Sequence, residues 1–149
     1  MPLSVNIAGR VCLCELKGSL TGTEVIGVLS QVRKVKAEEG VDVELLIYFD
    51  LAAATALEHP SNAFLCAFPA IVSDCSEVLL VLPGALIRTV SVALRVASND
   101  VCASRSSLRM LEELDDALQW VQAHFPHEVL ELRRQRLRSG IWKKRTTRD

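Results

Sequence analysis

Apolar residues fall along this chain in two patterns. Leu45-Leu46-Ile47-Tyr48-Phe49 and Val78-Leu79-Leu80-Val81-Leu82 are continuous runs, closed by Asp50 and by Pro83-Gly84, with about one helix of chain between them. A sheet covered on both faces needs apolar side chains on both sides of each strand, so such runs predict neighbouring buried parallel strands. Elsewhere the spacing is helical. Val25, Val28, Leu29, Val32 and Val35 share one face, with Thr21 and Glu24 forming a capping box before them and Gly40 placed to end the helix in a left-handed cap.

The same reading extends along the chain. Leu3–Ile7 and Val11–Leu16, joined at Ala8-Gly9-Arg10, predict a hairpin. Leu51–Leu57 is open to two readings, a short helix or the loop that leaves the strand. A helix starting at Pro60 and Ser61 buries Phe64, Leu65, Phe68, Ile71 and Val72, with a kink expected at Pro69, where a backbone donor is missing. Another spans about Ala85–Ser98, with its apolar stripe at Leu86, Ile87, Val90, Ala93, Leu94 and Ala97. A short strand at Val101–Ala103 precedes a helix from about Leu111 to Phe125, buried through Leu114, Ala117, Leu118, Val121 and Phe125. Pro126 then opens a last, basic helix. The order is β-β-α-β-α-β-α-β-α plus that helix: an α/β fold with a mixed, mostly parallel sheet of about five strands.

Composition changes this picture in two places. At 149 residues and 50% hydrophobic content, one compact domain is expected. The net charge of −1 and pI near 6.3 argue against a general nucleic-acid binder. The charge is uneven, however: Glu128–Asp149 carries 8 Lys/Arg against 3 Asp/Glu, leaving 9 against 15 for the rest. Residues 1–125 therefore read as the α/β unit and 126–149 as a separate electrostatic unit, dispensable for folding. Five scattered cysteines, Cys12, Cys14, Cys66, Cys75 and Cys102, suit buried free thiols in a reducing cytoplasm better than a disulfide scaffold. Cys12-x-Cys14 lacks the second pair that a zinc site needs. No secretion signal and no membrane-length apolar span is evident.

Ile47-Tyr48-Phe49-Asp50-Leu51 closing the third strand, Leu114-Asp115-Asp116-Ala117-Leu118-Gln119-Trp120-Val121 on a later helix, and the element order over Leu3–Phe125 resemble the STAS-like family, typified by bacterial anti-sigma-factor antagonists, in a divergent branch related to CRAL-TRIO lipid-binding domains. The resemblance implies a non-enzymatic regulatory or scaffold domain that binds another protein, without a cofactor. It also implies a phosphoserine position after the third strand, which falls on Ser61. The Asp-Ser-Gly element of phosphoswitch members is missing, and Pro60 and Asn62 flank Ser61, which reads as a helix cap contributing about 1 kcal/mol.

Two rival readings remain. A lipid or small-ligand carrier requires a pocket between the helices at Phe64–Val72 and Ala85–Ala97. A small enzyme requires Asp50, His59 and Cys66 to converge as orienter, base and nucleophile at the strand carboxyl ends; more simply, Cys66 is a core thiol and His59 a loop residue. His124 and His127 read as solvent-facing. The basic residues Arg133, Arg134, Arg136, Arg138, Lys143, Lys144 and Arg145 around Trp142 form a surface for an anionic partner, lipid or protein, without sequence-specific reading of bases. A homodimer is open to the same tail.

Overall fold

A computed structural model describes residues 3–58, 62–97 and 107–148, with the side chains of 95–97, 107 and 139–148 left aside. The hairpin forms as expected: β1 (Leu3–Ala8) pairs antiparallel with β2 (Val11–Leu16) around Gly9, whose φ of 57° lies in the left-handed region. Helix α1 (Gly22–Glu39) follows, with Thr21 and Glu24 in the capping box and Gly40 at φ 70° donating its amide to the Lys36 carbonyl. The two continuous runs lie in β3 (Val43–Phe49) and β4 (Cys75–Val81), adjacent and parallel.

Between them the chain makes two helices. The first, α2 (Leu51–Ala56), resolves the ambiguity over Leu51–Leu57 and is capped by Asp50. The second, α3 (Ala63–Ser73), is capped by Asn62, whose side chain accepts the Phe64 amide at 2.8 Å; it begins later than Pro60 and continues through Pro69. Asparagine caps as well as serine, and Asn62 sits where the carbonyl meets the first free amides. Helix α4 (Gly84–Ala97) leads to β5 (Ser107–Leu111). The strand expected at Val101–Ala103 lies outside the described residues, and Leu111, expected to open a helix, instead ends β5. Helices α5 (Leu114–Gln122) and α6 (Pro126–Arg148) complete the chain.

The strands lie in the order β1-β2-β3-β4-β5, with β2 to β5 all parallel. Adding each parallel strand on the same side with a constant crossover hand places every connecting helix on one face. Accordingly Cys12, Cys14, Leu16, Val43, Leu45, Ile47, Phe49, Val78 and Leu80 turn toward α1 to α4 and form one core cluster. Gly27 lets α1 approach β1, since a Cβ there would lie 2.6 Å from Leu3 Cδ2. The alternate strand residues, Val11, Leu13, Leu46, Leu79 and Val81, pack against Ala117, Leu118 and Val121 of α5.

The same second cluster includes Val129 and Leu132 of α6, both buried. Gln135 Nε2 also donates to the Ile7 carbonyl on the open edge of β1, at 3.0 Å. The expected boundary at Phe125 thus runs through packed structure. Without the first turns of α6, the sheet residues beneath Val129 and Leu132 would face water, so this stretch is held by the hydrophobic effect rather than being free of the core.

Candidate functional site

In the parallel pair β2–β3, Leu16 aligns with Phe49, so the segments leaving both strands open at one edge of the sheet. Asp50 ties them together. Its Oδ2 accepts the Gly18 amide at 2.7 Å, and its Oδ1 accepts the Ala53 amide at 2.9 Å as the cap of α2. At the start of α1, Glu24 accepts the Thr21 amide and the Ser19 hydroxyl, both at 2.9 Å, and also the Thr21 hydroxyl. Burial works against the charge of Glu24, but its own amide, Ser19 and Thr21 outweigh that and hold its carboxyl below the usual range. Two large apolar side chains project near the starts of these helices: Ile26 of α1 is 68% exposed and Leu51 of α2 66%.

On the α5–α6 side of the same edge lies a crevice of about 230 Å³ lined by Glu15, Lys17, Tyr48, Glu113, Asp115 and Arg136. Glu15, only 6% exposed, is paired with Arg136 at 3.2 Å, and Arg133 reaches Asp115 at 3.2 Å. Walls of alternating charge suit a small polar group and offer an acyl chain little apolar surface.

The opposite edge, where β3 and β4 begin, is acidic. Glu44 and Glu77 are aligned on the two strands and line the same crevice. Glu44 is 6% exposed; it accepts from the Ser76 hydroxyl and lies 3.6 Å from Arg10 Nη2. Glu77 accepts the Trp120 indole N–H at 2.7 Å. Val121, His124 and Phe125 complete a crevice of about 240 Å³ there. Burial first, then the neighbouring Glu77 charge, raises the Glu44 carboxyl above its usual range, against the pull of Ser76 and Arg10.

The residues anticipated from sequence meet different fates. Asp50 reaches the carboxyl edge, where both its oxygens accept backbone amides. His59 and Ser61 lie outside the described residues. Cys66, expected in the core, is exposed, because the phase that buries Phe64, Leu65, Phe68, Ile71 and Val72 turns position 66 outward. Cys12, Cys14 and Cys75 are buried; the Cys12 and Cys14 sulfurs are 3.8 Å apart. The hydrogen bond shared with Cys12, then burial, raises the Cys14 thiol, and burial raises Cys75, so both stay protonated and unreactive as nucleophiles.

Arg133, Arg134 and Arg136 pair with Asp115, Glu131 and Glu15 of this chain, whereas Arg138 is exposed. The side chains of Trp142, Lys143, Lys144 and Arg145 lie outside those described. Among the described residues, no cluster of three or more His, Cys, Asp or Glu is placed to hold a metal ion, and no helix is long and apolar enough to cross a membrane. His127 is exposed as expected, and so is His124, which nevertheless borders the acidic crevice.

Sequence reasoning missed Glu15, Glu44, Tyr48 and Glu77. The available signal was an acid inside an otherwise apolar strand, as in Val11-Cys12-Leu13-Cys14-Glu15-Leu16, which calls for a cation from elsewhere in the chain. Comparison with known proteins adds no relative: no family model, no curated protein and no solved structure matches the chain.

Proposed function

We propose that this chain is a non-catalytic, STAS-like regulatory or scaffold domain that binds another protein through the carboxyl edge of β2 and β3. The exposure of Ile26 and Leu51 carries the reading: each sits within the first five residues of a helix held in place by capping, and each presents apolar surface on a rigid frame. The strand order, in which every parallel strand is added next to the one before it, supports the family resemblance. Four described cysteines, none in a disulfide, suit a reducing compartment, in keeping with a cytoplasmic protein. The basic second half of α6, starting at the exposed Arg138, adds a surface for an acidic partner.

The test is capture from the native host. The tagged chain is expected to retain a partner that Leu51→Asp, with an unchanged circular dichroism spectrum and melting temperature, releases. A partner retained equally by Leu51→Asp and by an Ile26→Asp, Leu51→Asp double variant would overturn the assignment of this edge, and capture of nothing would overturn the protein-binding reading.

A further inference from the structure

The acidic edge is a place where one proton changes how a whole helix end is held. Two aligned carboxyls, Glu44 and Glu77, sit side by side under the last turn of α5, and the cation nearest Glu44 is Arg10, 3.6 Å away. Arg10 is itself committed elsewhere. Its Nη2 donates to Ser76 Oγ at 3.3 Å, its Cζ stands 5.1 Å from the centre of the Phe125 ring, and its buried Nε has no hydrogen-bond partner among the described residues. On the other side, Glu77 accepts from Trp120, whose ring is covered by Arg109 at 3.6 Å. The groups facing the pair are therefore Arg10 from the hairpin turn, Ser76 from β4, and Trp120 and His124 from α5 and the segment just after it, with Arg109 of β5 behind Trp120.

We propose that the Glu44–Glu77 pair is a proton-operated latch that fixes the C-terminal end of α5 and the turn into α6 to the sheet, tight with one proton on the pair and loosened when both carboxylates are charged. With one proton present, a carboxyl donates to a carboxylate, Arg10 balances the single negative charge, and Trp120 and Phe125 stay seated. With both ionised, two negative charges share one partly committed cation in a site that excludes water from Glu44. Their repulsion acts directly on the elements that hold Trp120 and Phe125. The elevated carboxyl of Glu44 agrees in sign: a carboxyl raised in the docked state binds its proton more tightly there. Docking is thus strongest below the ordinary glutamate range and weakens as pH rises through the elevated value. The linkage bears on α6 as well, because α5 and α6 are joined through His124 and Phe125 in this crevice.

Amide hydrogen exchange across Ala117–Phe125, compared between the parent and Glu44→Gln at the same pH, tests the latch. The glutamine amide stands in for the protonated carboxyl, so at about pH 7 these amides are expected to exchange several-fold more slowly in Glu44→Gln than in the parent, and at about pH 4 the two should match. Glu77→Gln, which removes the other charge, should behave alike and serves if Glu44→Gln fails to fold. His124→Gln should follow the parent at both pH values. Equal exchange in parent and variant at about pH 7, a difference that persists at about pH 4, or loss of the pH dependence in His124→Gln would overturn the proposal, the last by making the imidazole the titrating group.

Discussion

The two faces of the sheet are built to different rules. The face under α1 to α4 is an almost wholly apolar layer in which Phe64 meets Phe49 edge-to-face and Phe68 at a tilt, with ring centres 5.5 and 5.7 Å apart, in one cluster with Leu45, Ile47, Val78 and Leu80. The face under α5 and α6 has an apolar centre at Leu13, Leu46, Leu79 and Val81, but Glu15, Glu44 and Glu77 lie at its margins and must be met by Arg136, Arg10 and Trp120. One face is held mainly by burial, with its ion pairs from Lys36 to Asp42 and Asp74 at the exposed rim. The other adds charge, which binds late elements of the chain to specific places and makes their docking respond to protons. Packing and charge thus weigh differently on opposite sides of the same five strands.

The largest test of this contrast is truncation. Ending the chain after Phe125 removes Val129 and Leu132 from the second core and strips Glu15 of Arg136. Burial of the two side chains stabilises by about 2 kcal/mol each, and Ala8, Val11 and Leu13 of the same cluster lose cover with them. The sum is comparable to the whole stability of a small domain, so no cooperative urea transition should remain. Ending the chain after Arg138 keeps all of these contacts and should leave the transition in place. A cooperative transition in the shorter chain would show that α6 only rests on the sheet.

On the first face, Phe64→Ala should cost about 3 to 5 kcal/mol in chemical denaturation, with little change between low and high salt. On the second, Leu118→Ala should cost about 2 to 5 kcal/mol. Arg136→Met should cost about 2 kcal/mol, recovered in large part by adding Glu15→Gln, because most of the loss is the charge left buried rather than the ion pair itself. An Arg136→Met loss that Glu15→Gln does not relieve would place the cost in packing of the arginine stem.

The two faces also differ in how much of them could be read from sequence. The first face was legible because its signals are local: continuous apolar runs for β3 and β4, a capping box at Thr21 and Glu24, a glycine at 40, and periodic valines on α1. β5 was not. Ser107-Leu108-Arg109-Met110-Leu111 alternates weakly and runs straight into Glu112 and Glu113, so its last residue was assigned to the following helix. The docking of α6 was hidden because the helix carries apolar residues on more than one side: Val129 and Leu132 are buried while Leu130 and Leu137 are exposed, and nothing within the helix distinguishes them. The Glu15–Arg136 pair joins residues 121 positions apart, and Glu44–Glu77 depends on strand register, so neither leaves a trace in a window of neighbouring residues. Charges that look like a solvated tail become structural only once the open face of the sheet is known.

The smallest effect contrasts two glutamates of opposite sign. Glu24, at the start of α1, has its carboxyl held below the usual range despite burial, whereas Glu44 has its carboxyl raised by burial and by Glu77. A depressed carboxyl contributes stability that is present above its unfolded value and lost as pH falls through the folded one; a raised carboxyl subtracts stability above its folded value and ceases to do so below the unfolded one. At neutral pH, Glu24→Gln should therefore lower stability by about 1 kcal/mol, the worth of a helix cap, while Glu44→Gln should raise it. Below the ordinary glutamate range the Glu24 difference should shrink, since the unfolded parent takes up its proton before the folded one does, and the Glu44 gain should vanish. Urea midpoints at about pH 7 and about pH 3.5 are sufficient to see both. If the two substitutions move stability in the same direction at neutral pH, the acids of the second face are ordinary surface carboxylates, and the difference between the faces reduces to packing.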